Sequence, residues 1–208
     1  MSTKQKQRSD ETKKRIIEAS EKLFSSKGYD TVTMREIAQL AGCSHTTIYI
    51  YFKDKEALLT QLSMPPLQSL LHKLEEHLEG EGTSEQKLAS VSLAFLSFCL
   101  TNRKMYHLYF ATKSVRVDEE MPEMELNRLR NKMFGKLAGA LQACLELAPD
   151  DERVLMYTRI YLFTLNGIIS TYSESDETEG ELMERLHPTF QTSFEVLLSG
   201  FRHQISIS

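Results

Sequence analysis

Residues 33–59, T-M-R-E-I-A-Q-L-A-G-C-S-H-T-T-I-Y-I-Y-F-K-D-K-E-A-L-L, decide the fold of this chain. Thr33 and Glu36 have the T-x-x-E spacing of a capping box, in which hydroxyl and carboxylate satisfy amides at a helix start. A helix is therefore expected to begin there and to end at Ala41, with Met34, Ile37, Ala38 and Ala41 on one face. Gly42 supplies the permissive backbone of a sharp turn. Ser44 is placed to cap a second short helix whose Ile48 and Phe52, four apart, point back at the first. His45, Thr46, Thr47, Tyr49 and Tyr51 are then expected to face outward.

Two short helices around a glycine turn, the second apolar behind and hydrogen-bonding in front, form a helix-turn-helix. Hydroxyl groups on such a face reach base edges or phosphate oxygens, and a threonine methyl can meet a thymine methyl. Asp54 caps a third helix and brings Lys55 to its N-terminal end, where ammonium and helix dipole would act together on a phosphate. The candidate DNA-contact residues are Thr33, Arg35, Ser44, His45, Thr46, Thr47, Tyr49, Tyr51 and Lys55. The plainer reading, three small core helices with a solvated polar face, leaves the density of caps, turn glycine and aromatics without a reason.

The run G-Y-D-T-V-T-M-R-E-I-A-Q-L-A-G-C-S-H-T-T-I-Y-I-Y-F-K-D-K-E-A-L-L resembles the DNA-binding domain of the TetR family of bacterial transcriptional regulators. The likeness covers about residues 12–62 and takes in a preceding helix pattern, I-I-E-A-S-E-K-L-F-S-S-K-G-Y. It implies a homodimer, a variable all-helical ligand domain behind the reading head, and in most members repression relieved by a small molecule. Many members carry Lys-Gly where this chain has His45 and Thr46, so no operator is carried over. A weaker likeness, in N-R-K-M-Y-H-L-Y-F and Y-L-F-T-L-N-G-I-I, is to one group of the family's ligand domains. Phe163 and Asn166 stand where that group has tryptophan and histidine, and no ligand is carried over either.

Composition agrees with a globular, sheet-poor protein: 208 residues, 41% hydrophobic and 26% charged, with nine Gly and five Pro. The net charge of −4 is unevenly spread. Residues 1–58 hold eleven Lys or Arg against eight Asp or Glu, a balance of +3, which leaves −7 for the remainder. A mildly basic head on an acidic body suits a DNA binder that stays soluble. No apolar run reaches the ~18 residues of a membrane span and the N-terminus has no signal-peptide core, so a cytoplasmic location and no membrane partner are expected. Cys43, Cys99 and Cys144 are odd in number and far apart, which argues against a disulfide framework. Cys43 sits in the turn, where oxidation would disturb DNA contact, but no resolving cysteine is near in sequence.

The expected organisation is all-α: a basic arm and three-helix helix-turn-helix DNA-binding domain at 1–62, then a larger helical ligand-binding and dimerisation domain at 63–208. In the arm, residues 1–15 carry six positive and two negative side chains, read either as extra phosphate or minor-groove contact or as a mobile solubilising tail. The first helix is expected from Asp10 to Lys27, stopped by Gly28. Pro65-Pro66 are expected to break or kink the helix that starts at Lys55, giving a joint between head and body. Ser84 and Lys87 are expected to open the next helix, and Asp150 or Asp151 the penultimate one, with Pro188 in the first turn of the last.

An adaptable Met and aromatic lining marks candidate effector contacts: Met105, Tyr106, Tyr109, Phe110, Met133, Phe134, Tyr157, Tyr161, Leu165 and Asn166. The expected ligand is a small apolar or amphipathic molecule. Asn166 is either a polar handle for it or an internally bonded amide. The last two helices carry more apolar surface than one core covers, so a four-helix homodimer interface is expected through Ile168, Leu186, Phe190, Phe194, Leu197 and Phe201. His72, His77 and His107 lack tightly spaced partners, and no nucleophile elbow, phosphate loop or dinucleotide fingerprint occurs. No metal, cofactor or enzymatic activity is expected. The expected function is a ligand-responsive repressor on a palindromic operator; the competing class is a helical sensor or scaffold that acts through a protein partner.

Overall fold

The computed structural model describes residues 3–207, all of whose regular structure is helical. Among these residues nine helices follow one another: α1 Thr3–Lys27, α2 Met34–Leu40, α3 His45–Tyr51, α4 Lys55–Glu79, α5 Ser84–Thr101, α6 Arg103–Phe110, α7 Glu125–Leu145, α8 Glu152–Thr171 and α9 Glu179–Ser206. They divide into two compact units, Met1–Gln68 with Lys104–Leu129, and Ser69–Arg103 with Arg130–Ser208. The first unit runs six residues beyond residue 62 along α4 and takes in most of α6 and the loop after it.

In the first unit, α1 buries Ile16, Ala19, Ser20 and Phe24, and α2 and α3 add Ile37, Ala38 and Ile48. Ser20 spends its hydroxyl on the Ile16 carbonyl at 2.7 Å, which makes a polar residue tolerable at that depth. Each fully buried aliphatic side chain here stabilises the fold by about 1.5–3 kcal/mol. The helix starts earlier than expected, at Thr3 instead of Asp10. Ser9 Oγ donates to the Tyr51 hydroxyl at 3.2 Å and so fastens the early turns to α3. The first two residues of the expected mobile arm lie outside the described residues.

At the prolines the structure shows no break after Lys55 and an earlier start for the last helix. Helix α4 passes through Pro65 and Pro66 without a break, although neither offers a donor to the carbonyl four residues back. The stripe Leu58, Leu59 and Leu62 continues as Leu67, Leu70, Leu71 and Leu74, all buried, and that packing outweighs two lost backbone bonds. Helix α9 begins at Glu179, so Pro188 lies in its interior and not in its first turn. The start is set by a capping box of Thr178 with Glu181 in the acidic loop. Helix α5 likewise opens on a capping box of Thr83 with Gln86, one residue before the expected pair.

In the second unit, α8 and α9 meet through stacked rings, Tyr157 on Phe201 at 4.6 Å between centroids and Tyr161 on Phe194 at 5.6 Å. The Tyr161 hydroxyl lies 2.8 Å from Ser92 Oγ. Ser92 gives its own hydrogen to the Leu88 carbonyl, so tyrosine is the donor between them. Arg202 of α9 reaches both Glu85, at 2.6 Å, and the Cys144 carbonyl, at 3.0 Å. No helix among the described residues is long and apolar enough to cross a membrane.

Candidate nucleic-acid interface

The Thr33 hydroxyl accepts from the Glu36 amide at 3.2 Å, and Glu36 Oε2 takes the Thr33 amide at 2.9 Å, so the capping box forms as expected. Lys27 Nζ donates to the other Glu36 oxygen at 2.9 Å. These bonds, that to Lys27 foremost, hold the Glu36 carboxyl down at about 2, against an ordinary 4.5. Beyond α2, Gly42 takes φ +67, and the Cys43 amide closes the turn on the Ala38 carbonyl at 3.0 Å. Ser44 then caps α3 by accepting from the Thr47 amide at 3.0 Å.

The seven residues of α3 sort themselves by burial. Ile48 is fully buried, as is Phe52 just beyond the helix to within 4%. His45, Thr46, Tyr49 and Ile50 are exposed, and Thr47 and Tyr51 are half-buried. The His45 ring stands edge-on to Tyr49 at 5.2 Å, which orients the tyrosine. His45, Thr46 and Tyr49 are therefore brought to the surface as the spacing implied, and Arg35, on α2, is exposed as well.

The other expected contacts also bond within the protein. Thr33 and Ser44 are committed as caps, and Thr47 Oγ1 lies 2.7 Å from Ser44 Oγ. Tyr51 accepts from Ser9. Lys55, expected on a phosphate, instead donates to the carbonyls of Tyr29 at 2.7 Å, Val32 at 2.9 Å and Asp30 at 3.3 Å. An ammonium has three donors, and these carbonyls engage them all. Its Nζ also sits 4.4 Å from the centre of the Tyr29 ring, a cation–π contact. Burial, then Glu56, Asp54 and Asp30, push the Tyr29 phenol up to about 12. Asp54 Oδ1 accepts from the Ala57 amide at 2.8 Å and caps α4 as expected.

Ile50, exposed on α3, is not among the expected contacts. The helical period would have found it, because a residue two beyond the inward Ile48 turns by about 200°. Cys43 is half-exposed and unpaired with another cysteine, and burial raises its thiol with Arg15 opposing. Its thiolate is the scarcer for it, which removes support from a redox role.

The expected effector residues are distributed over both units. Met105, Tyr106, Tyr109 and Phe110 belong to the first unit, where burial and then Glu21 raise the Tyr109 phenol. Met133, Phe134, Tyr157, Tyr161, Leu165 and Asn166 belong to the second. Tyr157 and Tyr161 are spent on the stacks with α9. Of the expected interface residues, Leu186, Phe190, Phe194 and Phe201 are buried within their own unit, 7% exposed or less. Ile168 and Leu197 are half-buried. The outward apolar residues are Met156, Ile160 and Phe163 of α8 and Val196 of α9, Phe163 and Val196 being 64% and 63% exposed.

Residues 16–62, which contain this interface, match the bacterial regulatory proteins of the tetR family. YhgD, an uncharacterized HTH-type transcriptional regulator of Bacillus subtilis (strain 168), is 30% identical over 139 residues, covering 64% of this chain and 73% of that protein. PfmR, a TetR family transcriptional regulator from Thermus thermophilus, aligns with a TM-score of 0.65 at 22% identity, over 89% of this chain and 97% of its own. FadR from Bacillus subtilis, solved in complex with stearoyl-CoA, aligns with a TM-score of 0.62, again at 22% identity over 89% and 97%. At these identities the two structures speak for the fold alone.

Proposed function

The chain belongs to the TetR family and is a DNA-binding transcriptional regulator, and on that premise we propose that it works in the cytoplasm as a homodimeric repressor released by a small amphipathic effector. The observation that carries the reading is the outward face of α3, with His45, Thr46 and Tyr49 presented by a helix whose Ile48 is fully buried. A helix held by its back and polar in front fits a major groove. His45 and Thr46 are assigned to base edges and Tyr49 to the backbone, with Arg35 on phosphate.

Dimerisation is assigned to the outward faces of α8 and α9, around Phe163 and Val196. Exposed apolar side chains at that density on two adjacent terminal helices suit a self-complementary patch. Two heads would then enter successive major grooves about 34–36 Å apart on a near-palindromic operator. For the effector, stearoyl-CoA, bound by the FadR structure that shares this fold, is an amphipathic molecule of the expected kind. Since α6 and the following loop pack in the same unit as the head, an effector that favours one arrangement of that segment would bias operator affinity through it. This replaces the Pro65-Pro66 joint as the expected route.

The test is a mobility shift on the DNA upstream of the chain's own coding sequence. Retardation that depends on a palindrome and weakens steeply with salt supports the repressor. Absence of retardation at low salt returns the case to a scaffold that acts through a protein. A Phe163→Glu variant should sediment as a monomer at micromolar concentration and bind one half-site only; a dimer unaffected by it would move the interface elsewhere.

A further inference from the structure

The reading helix exposes an aliphatic side chain among its hydroxyls. Ile50 is 77% exposed, against 47% for Tyr49 and none for Ile48. It stands roughly 160° around the helix from Ile48 and one turn beyond Thr46, which shares the outward half. Nothing in folding favours this placement. A β-branched residue is slightly unfavourable in a helix, and at this exposure it adds little to the core. Most features of the major-groove floor are polar; the apolar one is the C5-methyl group of thymine.

We propose that Ile50 is a specificity-determining residue that reads a pyrimidine 5-methyl group at one position of each operator half-site. The proposal rests on α3 being the DNA-reading helix and adds what chemistry its last turn recognises. Burying a methyl group against an aliphatic side chain is worth about fourfold in affinity. The contact also rejects cytosine, whose bare C5 leaves a gap beside the side chain. Thr46, one turn earlier, is placed to flank the same base step with its own methyl.

Duplexes enriched from a random pool by the full-length protein provide the probe. Each thymine of the enriched site is then replaced, one at a time, by deoxyuridine, which lacks only the methyl group. The wild-type protein should lose about fourfold in affinity at one position per half-site. Ile50→Ala should bind the thymine and deoxyuridine duplexes at that position equally, keep its preferences elsewhere, and melt at the wild-type temperature. 5-Methylcytosine in place of cytosine at that position should be favoured by the wild type and ignored by Ile50→Ala. Indifference of the wild type to deoxyuridine throughout, or discrimination that survives in Ile50→Ala, would overturn the assignment while leaving DNA binding intact. A pool with no enriched sequence would instead overturn α3 as a reading helix, and this proposal with it.

Discussion

The reading helix α3 and the last helix α9 each turn an apolar face inward and a mixed face to solvent, yet different forces fix them. Helix α3 has seven residues and buries a single one of them, Ile48. Its direction is set at its ends by polar ties, Ser44 with Thr47, Tyr51 with Ser9, and Lys55 across to the α1–α2 connection. Helix α9 has 28 residues and is held along its length by Leu182, Leu186, Phe190, Phe194, Leu198 and Phe201. A short helix that must present its side chains to a partner is positioned by directional bonds; a long one is positioned by area.

The largest expected effect breaks the area side of that contrast. Phe194→Ala removes one ring of the stack on Tyr161 and should destabilise the protein by about 3–5 kcal/mol in denaturant unfolding, independent of protein concentration. A loss that grew on dilution would put Phe194 at an interface between chains. On the directional side, Lys55→Met should cost about 1.5–3 kcal/mol, since three carbonyls lose a charged donor. Its DNA binding should keep the wild-type dependence on salt; a slope reduced by about one would place the ammonium on a phosphate.

Gly42→Ala is expected to be milder, about 1–2 kcal/mol in thermal unfolding, because φ +67 is disfavoured for a residue with Cβ. Space is not the obstacle, as the nearest atom to such a Cβ is Arg15 Nη1 at 3.5 Å. The smallest effect is electrostatic. The Glu36 carboxyl is lower folded than unfolded, so its contribution is complete above pH 4.5 and is lost as pH falls toward about 2. Glu36→Gln should flatten the acid limb of a melting-temperature profile across that window; an unchanged limb would show that the network with Lys27 adds nothing.

The same division explains what could be read in the chain. Thr33, Glu36, Gly42, Ser44 and Asp54 act on backbone groups within a few residues, so their spacing reports their structure directly. Pro65 and Pro66 announce a break that distant packing overrides, and Pro188 suggests a later helix start than the one the Thr178 and Glu181 capping box sets. Lys55 looked like a phosphate contact because its partners, Tyr29, Asp30 and Val32, are more than twenty residues away. The apolar stripe of α9 was visible at spacings of three and four, but its cover was not. Phe194 meets Tyr161 of its own chain, and periodicity says only that a stripe is covered.

Within α3, the separation of scaffold from surface has a consequence for retargeting the protein to new sequences. His45, Thr46, Tyr49 and Ile50 can be varied together with the caps, the glycine turn and the lysine clamp untouched, a randomised quartet on a fixed frame. Libraries that also randomise Ser44, Thr47 or Lys55 would fill with unfolded members and sample fewer operators.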